Sequence, residues 1–188
     1  MKEQLQKDFD NTIKNLSLSQ KDIEIKKFYL DSFVNRGFPN RKEEDWKFSD
    51  LSQIIKKNIG ELSFYTDYTS TNKIDTSVYV DGLEHNKIVF INGRIEKIDF
   101  DYEKKNQIEI IDQSETIDRF NNNNSLSDLN NAFTNKSFKI LIKKGYQLAK
   151  PLIIYHTTNS NIWSKNINLR LNFELDKDSS LRLIDLFN

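Results

Sequence analysis

The chain has 188 residues, with 28 Lys+Arg balancing 28 Asp+Glu, two histidines, five glycines, two prolines and no cysteine. A hydrophobic share of 37% at this length is enough for one domain, or two small ones, with a buried core. The missing cysteines exclude a disulfide scaffold, a thiolate metal site, a cysteine nucleophile and a Cys-ligated iron–sulfur cluster held by this chain alone.

Zero net charge removes the usual footprint of a nucleic-acid binder. The polar start MKEQLQKDFDN contains no apolar signal core, and runs such as Ile88-Val89-Phe90-Ile91 are too short to span a bilayer. The expectation is a cytoplasmic protein with neither a nucleic-acid nor a membrane partner.

In chain order, Leu5, Phe9, Ile13 and Leu16 recur at helical spacing and predict an amphipathic helix over 2–16. Ser19, with Asp22 three residues on, has the pattern of a capping box. It opens a second helix that carries Ile25, Phe28, Tyr29 and Phe33 on one face. Gly37 supplies the left-handed stop and Pro39 prevents resumption. Ser49 is the predicted cap of a third helix with Leu51, Ile54, Ile55 and Ile59 inward, ended by Gly60.

The period then changes. Residues 61–77 are polar and read as a linker or long loop. Lys87–Ile91 and Arg94–Phe100 read as strands around Asn92-Gly93, the dipeptide of a type I′ hairpin turn. Gln107–Ile111 is another short strand, Asn121–Asn124 a loop, and Ser125 the predicted cap of a helix bearing Leu126, Leu129 and Phe133. Strands then dominate. Phe138, Ile140 and Ile142 alternate, Pro151 opens LIIYH, and Ile167 to Leu175 alternate without a break. Leu181, Leu183 and Asp185 begin one more strand, which no terminal polar turn closes. The last sheet is therefore expected to be incomplete, or completed by something else.

Few constellations suggest chemistry. His85 and His156 lack any metal-ligand spacing and read as exposed or locally hydrogen-bonded. Asp176-x-Asp178 has neither the glycine nor the closing glutamate of an EF-hand and reads as a solvated turn. Asp99, Asp101 and Glu103 could present paired carboxylates for glycoside hydrolysis on a short β-solenoid. The Asn-x-Ser matches at Asn15, Asn123 and Asn135 carry no weight without a secretory signal.

The most distinctive stretch runs Gly37-Phe38-Pro39-Asn40-Arg41-Lys42-Glu43-Glu44-Asp45-Trp46-Lys47-Phe48-Ser49-Asp50-Leu51. Read physically, it is a helix stop, a charged turn anchored by Trp46 packing between helices, with Arg41 and Glu44 holding the turn, and a new helix start. This stretch resembles the SufD type of the SufB/SufD family of iron–sulfur cluster assembly scaffold proteins. Three further segments match that family in order: Val89-Phe90-Ile91-Asn92-Gly93-Arg94, Leu129-Asn130-Asn131-Ala132-Phe133 and Ala149-Lys150-Pro151-Leu152-Ile153-Ile154.

The resemblance implies an α+β chain, with an N-terminal helical region over 1–76 and, over 77–188, a hairpin and the beginning of a right-handed parallel β-helix, apparently truncated. It implies a non-catalytic scaffold subunit that acts with a SufB-like subunit and a SufC-like ATPase. No cofactor is expected in this chain, and the cluster is handled by the whole complex. Gly37, Phe38, Pro39, Arg41, Glu44, Trp46, Asn92, Gly93, Asn130 and Pro151 carry over as structural motif residues only. Two other readings stay open: the carboxylate hydrolase, and a module whose open strand edge recruits a partner by strand addition.

Overall fold

The computed structural model describes residues 2–14, 16, 18–65, 75–113, 124–159, 162 and 165–187. Four helices and seven strands are present among them: α1 (Lys2–Lys14), α2 (Gln20–Arg36), α3 (Leu51–Asn58), β1 (Asn86–Ile91), β2 (Arg94–Asp99), β3 (Ile108–Asp112), α4 (Ser125–Phe133), β4 (Lys136–Ile142), β5 (Leu152–Thr157), β6 (Leu169–Leu175) and β7 (Leu183–Phe187). They form two compact units. One comprises Met1–Thr66, Gln113–Asn135 and Ser164–Arg170; the other comprises Asp67–Asp112, Lys136–Trp163 and Leu171–Asn188. The chain passes from one unit to the other five times.

The first unit is helical. Ser19 caps α2 by accepting the Asp22 N–H at 3.2 Å while its hydroxyl donates to Asp22 Oδ2 at 2.5 Å. At the other end Gly37, at φ 74°, returns its N–H to the Phe33 carbonyl at 2.6 Å, a conformation that a side chain resists. The two remaining caps lie one residue from their predicted positions. Asp50, not Ser49, caps α3 by accepting the Gln53 N–H at 3.0 Å. Asn124, not Ser125, caps α4 by accepting the Leu126 and Ser127 N–H groups. In both places adjacent polar residues compete, and the one with the extended backbone takes the role.

The core of this unit joins Leu5 and Phe9 of α1, Ile25, Tyr29, Leu30 and Phe33 of α2, Phe38, Phe64, and Leu129, Ala132 and Phe133 of α4. Phe133 stacks on Phe64 at 3.6 Å between centroids and meets Phe9 edge-on at 6.1 Å. The predicted linker 61–77 therefore contains a core residue, Phe64; its residues 66–74 lie outside the described ones, and Thr76–Val78 forms a 3-10 turn. Of the predicted Asn121–Asn124 loop only Asn124 is described, and the Asn-x-Ser matches at Asn15 and Asn123 also lie outside.

Lys26 is buried in the same core at 1% exposure. Its Nζ donates to the Thr134 carbonyl at 2.5 Å and the Asn131 carbonyl at 3.4 Å, at the end of α4 where carbonyls lack helical partners. Burial pushes its pKa down to about 8, with the Asp22 charge pulling the other way. Beside it Asp128 of α4 accepts from Ser32 at 2.7 Å and pairs with Arg36 of α2.

The second unit holds the strands. β1 is buried on both faces and central, in a sheet ordered β2-β1-β5-β7. The turn between β1 and β2 has φ 52° at Asn92 and 80° at Gly93, the two positive angles a type I′ turn requires. It folds β2 back antiparallel, with an irregularity between Val89 and Phe90. β1, β5 and β7 run parallel. Val89, Ile91, Ile153 and Tyr155 pack beneath Val78, Tyr79 and Leu186 on one face. The other sheet is ordered β3-β4-β6, with β3 antiparallel to β4.

The chain is thus α+β, but the expected right-handed parallel β-helix is not what forms. Among the described residues its strands make two mixed sheets of four and three strands with no closed solenoid. The physical reason lies in the turns: Asn92-Gly93 reverses β1 into β2, and β3 and β4 pair antiparallel, so neither sheet is purely parallel.

Candidate functional site at the outer edge of the parallel ladder

β7 is the outermost strand of its sheet, hydrogen-bonded on one side to β5 from Leu152↔Leu183 to His156↔Phe187. Alternation along the strand places Leu183, Asp185 and Phe187 on one face and Ile184 and Leu186 on the other. Parallel register lines up equivalent positions into rows, and one row reads Phe90, His156, Phe187. The His156 ring stacks on Phe90 at 5.3 Å and on Phe187 at 4.4 Å, with 8° between planes in both pairs. The row begins in the core, where Phe90 is 1% exposed, and ends in solvent, where Phe187 is 75% exposed.

The neighbouring row reads Ile88, Ile154, Asp185. Asp185 Oδ1 lies 2.8 Å from His156 Nε2, within ion-pair reach when the ring is protonated. Burial pushes the His156 pKa below its ordinary value, and the Asp185 charge opposes that. Among the described residues the far side of β7 has no strand against it. An edge with exposed Leu183, Ile184 and Phe187 and a single charge is a template for another strand. Its row of rings offers a stacking position, and Asp185 offers a charge to match.

The residues predicted to matter lie elsewhere. Phe38 is buried and meets Phe33 edge-on at 5.1 Å, next to Gly37 and the buried Pro39. Trp46 closes a 3-10 turn (Glu44–Trp46) and is half-buried, while Arg41 and Glu44 are exposed. The turn is held by Asn40 and Glu43: the Asn40 N–H donates to Glu43 Oε1 at 3.2 Å and the Lys42 N–H to Asn40 Oδ1 at 3.0 Å. Asn92 is buried, donates its N–H to the Thr157 carbonyl at 3.0 Å and accepts the Asn159 N–H at 3.1 Å. Asn130 donates to the Leu169 carbonyl at 3.2 Å, and the Pro151 carbonyl accepts the Asn86 N–H at 2.8 Å. The ten positions are distributed over both units and are not gathered at one site.

The carboxylates proposed for hydrolysis are committed to local partners. Asp99 accepts from Lys87 at 3.1 Å and from the Asp101 N–H at 3.3 Å. Glu103 accepts from Tyr146 and Asn86 side chains, both at 2.6 Å, and from the Ala149 and Lys150 N–H groups, both at 3.1 Å. Burial raises the pKa of each, but these donors, with Lys87 and Lys97 near Asp99, bring both below the ordinary range. A glycosidase acid needs the opposite shift. Asp176 and Asp178 form a turn, with Asp178 at φ 61°. His85 is buried: its Nδ1–H donates to the Leu83 carbonyl at 2.6 Å, and Nε2 accepts the Tyr155 hydroxyl at 2.8 Å.

Sequence reading missed the His156–Phe187 row and the burial of Lys26. For the row a signal existed, since LIIYH and LIDLF are both alternating strands, but only the register aligns the rings. For Lys26 the signal was its place between Ile25 and Tyr29 on the apolar face of α2. Comparison with protein-family models gives no match, and comparison with curated proteins gives none.

Proposed function

We propose that this chain is a non-catalytic scaffold segment of the SufD type, cytoplasmic, acting with a SufB-like subunit and a SufC-like ATPase in iron–sulfur cluster assembly. The observation that supports it most is the use made of the motif residues. Gly37, Phe38, Asn92, Gly93, Asn130 and Pro151 stop a helix, fill a core, turn a hairpin or bind backbone, in both units. Residues arranged so preserve a shape, which is what a scaffold needs. With no cysteine among these 188 residues, any thiolate ligands for a cluster come from outside them.

The test is an affinity tag on the chromosomal gene, with co-purifying proteins identified by mass spectrometry. A SufB-like subunit and a SufC-like ATPase are expected together with the chain. Recovery of the chain without either overturns the reading.

The β7 edge favours a second reading, strand addition. Its partner is an extended, alternating segment with an apolar residue to lie on Phe187 and a cation to meet Asp185. Replacing Phe187 by Asp is expected to abolish such pairing while leaving the fold intact, because Phe187 is 75% exposed.

A further inference from the structure

Phe48 is 91% exposed, the highest value among the exposed large hydrophobic side chains described. A single exposed apolar residue is ordinary, but this one stands a few residues ahead of Ser52 in the chain, and Ser52 lines an apolar groove in the same unit. Leu5, Phe38, Ile55 and Leu62 form the walls of that groove, and Lys56 and Glu61 stand among its lining, around a volume of about 300 Å³. A volume at the bottom of the range for small-molecule pockets suits one aromatic side chain better than a large ligand. The chain's own Phe48 does not fill it, as its exposure shows.

We infer that the helical unit pairs with a second copy of itself, Phe48 of each copy seating in the Leu5–Phe38–Ile55–Leu62 groove of the other. Three observations favour a second copy as the occupant. Plug and groove are neighbours in the chain, since Phe48 stands just ahead of α3, whose Ser52 and Ile55 line the groove. A two-fold axis beside α3 therefore satisfies both contacts at once, in the self-complementary manner of closed dimers.

The charges also complement. Lys47, whose ammonium lies 5.8 Å from the Phe48 ring centroid, travels with the plug, and in the proposed pairing would meet Glu61, which stands in the lining of the groove. Asp45 travels with it too and in the same pairing would meet Lys56. Finally, Ile54 and Ile59, 45% and 49% exposed on and just after α3, add apolar surface on the same stretch of chain. This pairing does not depend on the strand edge or on the scaffold reading.

The experiment is sedimentation of the full chain across a wide concentration series. A concentration-dependent monomer–dimer equilibrium is expected. Phe48→Asp is expected to weaken it by about 30-fold or more, the scale of a buried aromatic anchor. Circular dichroism checks that the variant stays folded. Lys47→Glu and Glu61→Lys are each expected to weaken the dimer, and the double reversal to restore it. A monomer at every concentration overturns the inference. So does a dimer indifferent to Phe48→Asp, or single reversals that the double does not rescue. A monomer whose Phe48→Asp variant instead loses a co-purifying subunit would give the groove to a different protein, and overturns it equally.

Discussion

Lys26 permits a prediction in which the sign is as informative as the size. Its side chain is 1% exposed and its pKa lies near 8 instead of the ordinary 10.5, burial being the main cause. Between those values the folded protein binds fewer protons than the unfolded chain. Stability must therefore rise with pH across that window, and the gain is absent below about 8. With those two values, the gain between pH 7 and pH 10 is about 2–3 kcal/mol.

The comparison protein is Lys26→Met, which cannot titrate there. Its loss of donors to the Asn131 and Thr134 carbonyls is the same at both pH values and drops out of the pH difference. Other lysines and tyrosines titrate alike in both proteins and also cancel. The assay is urea unfolding followed by helical circular dichroism at pH 7 and pH 10. Wild type should gain about 2–3 kcal/mol on the variant over that interval. A difference that stays constant within about 0.5 kcal/mol, or that falls, would refute the buried ammonium.

Other expectations are simpler to state. Gly93→Ala forces a side chain to φ 80° and should cost about 1–2 kcal/mol in unfolding free energy. Phe33→Ala, at a position with 0% exposure, should cost about 3–5 kcal/mol and lower the melting temperature accordingly. Glu103→Gln should cost about 1–3 kcal/mol at neutral pH, the scale of hydrogen bonds to a charged group. Because the folded Glu103 pKa is depressed, its contribution is present above the ordinary carboxylate range and lost as pH falls through the folded value. The variant's acid unfolding curve should accordingly lack that loss. A fragment of residues 1–76 should show poorly dispersed amide resonances, because Leu129, Ala132 and Phe133 of α4 complete the core around Tyr29 and Phe33.

The helices and the hairpin were legible because their causes are local. The 3.6-residue spacing of Leu5 and Phe9, the Ser19–Asp22 cap, the Gly37 stop and the Asn92-Gly93 turn each act within a few residues. Strand pairing was not legible. Alternation such as Phe138-x-Ile140-x-Ile142 has the same period whether the neighbour runs parallel or antiparallel, so periodicity cannot separate a solenoid from two mixed sheets. The stacked row of Phe90, His156 and Phe187 is hidden for the same reason, since it exists only once three strands share a register. Lys26 was opaque because its acceptors lie more than a hundred residues away, at the end of α4.

The interleaving of the two units sets an order of events during synthesis. The ribosome makes α1 and α2 first, yet α4, which completes their core, follows only after Asp67–Asp112 of the other unit. Ser164–Arg170, which supplies the Leu169 carbonyl to Asn130 and an Arg170 guanidinium to Asn131, comes later still. Tyr29, Leu30 and Phe33 therefore lack their full covering while some hundred further residues emerge. A nascent chain of this design offers an apolar helix face to chaperones while those residues are made, and the helical half cannot finish folding before much of the sheet half exists.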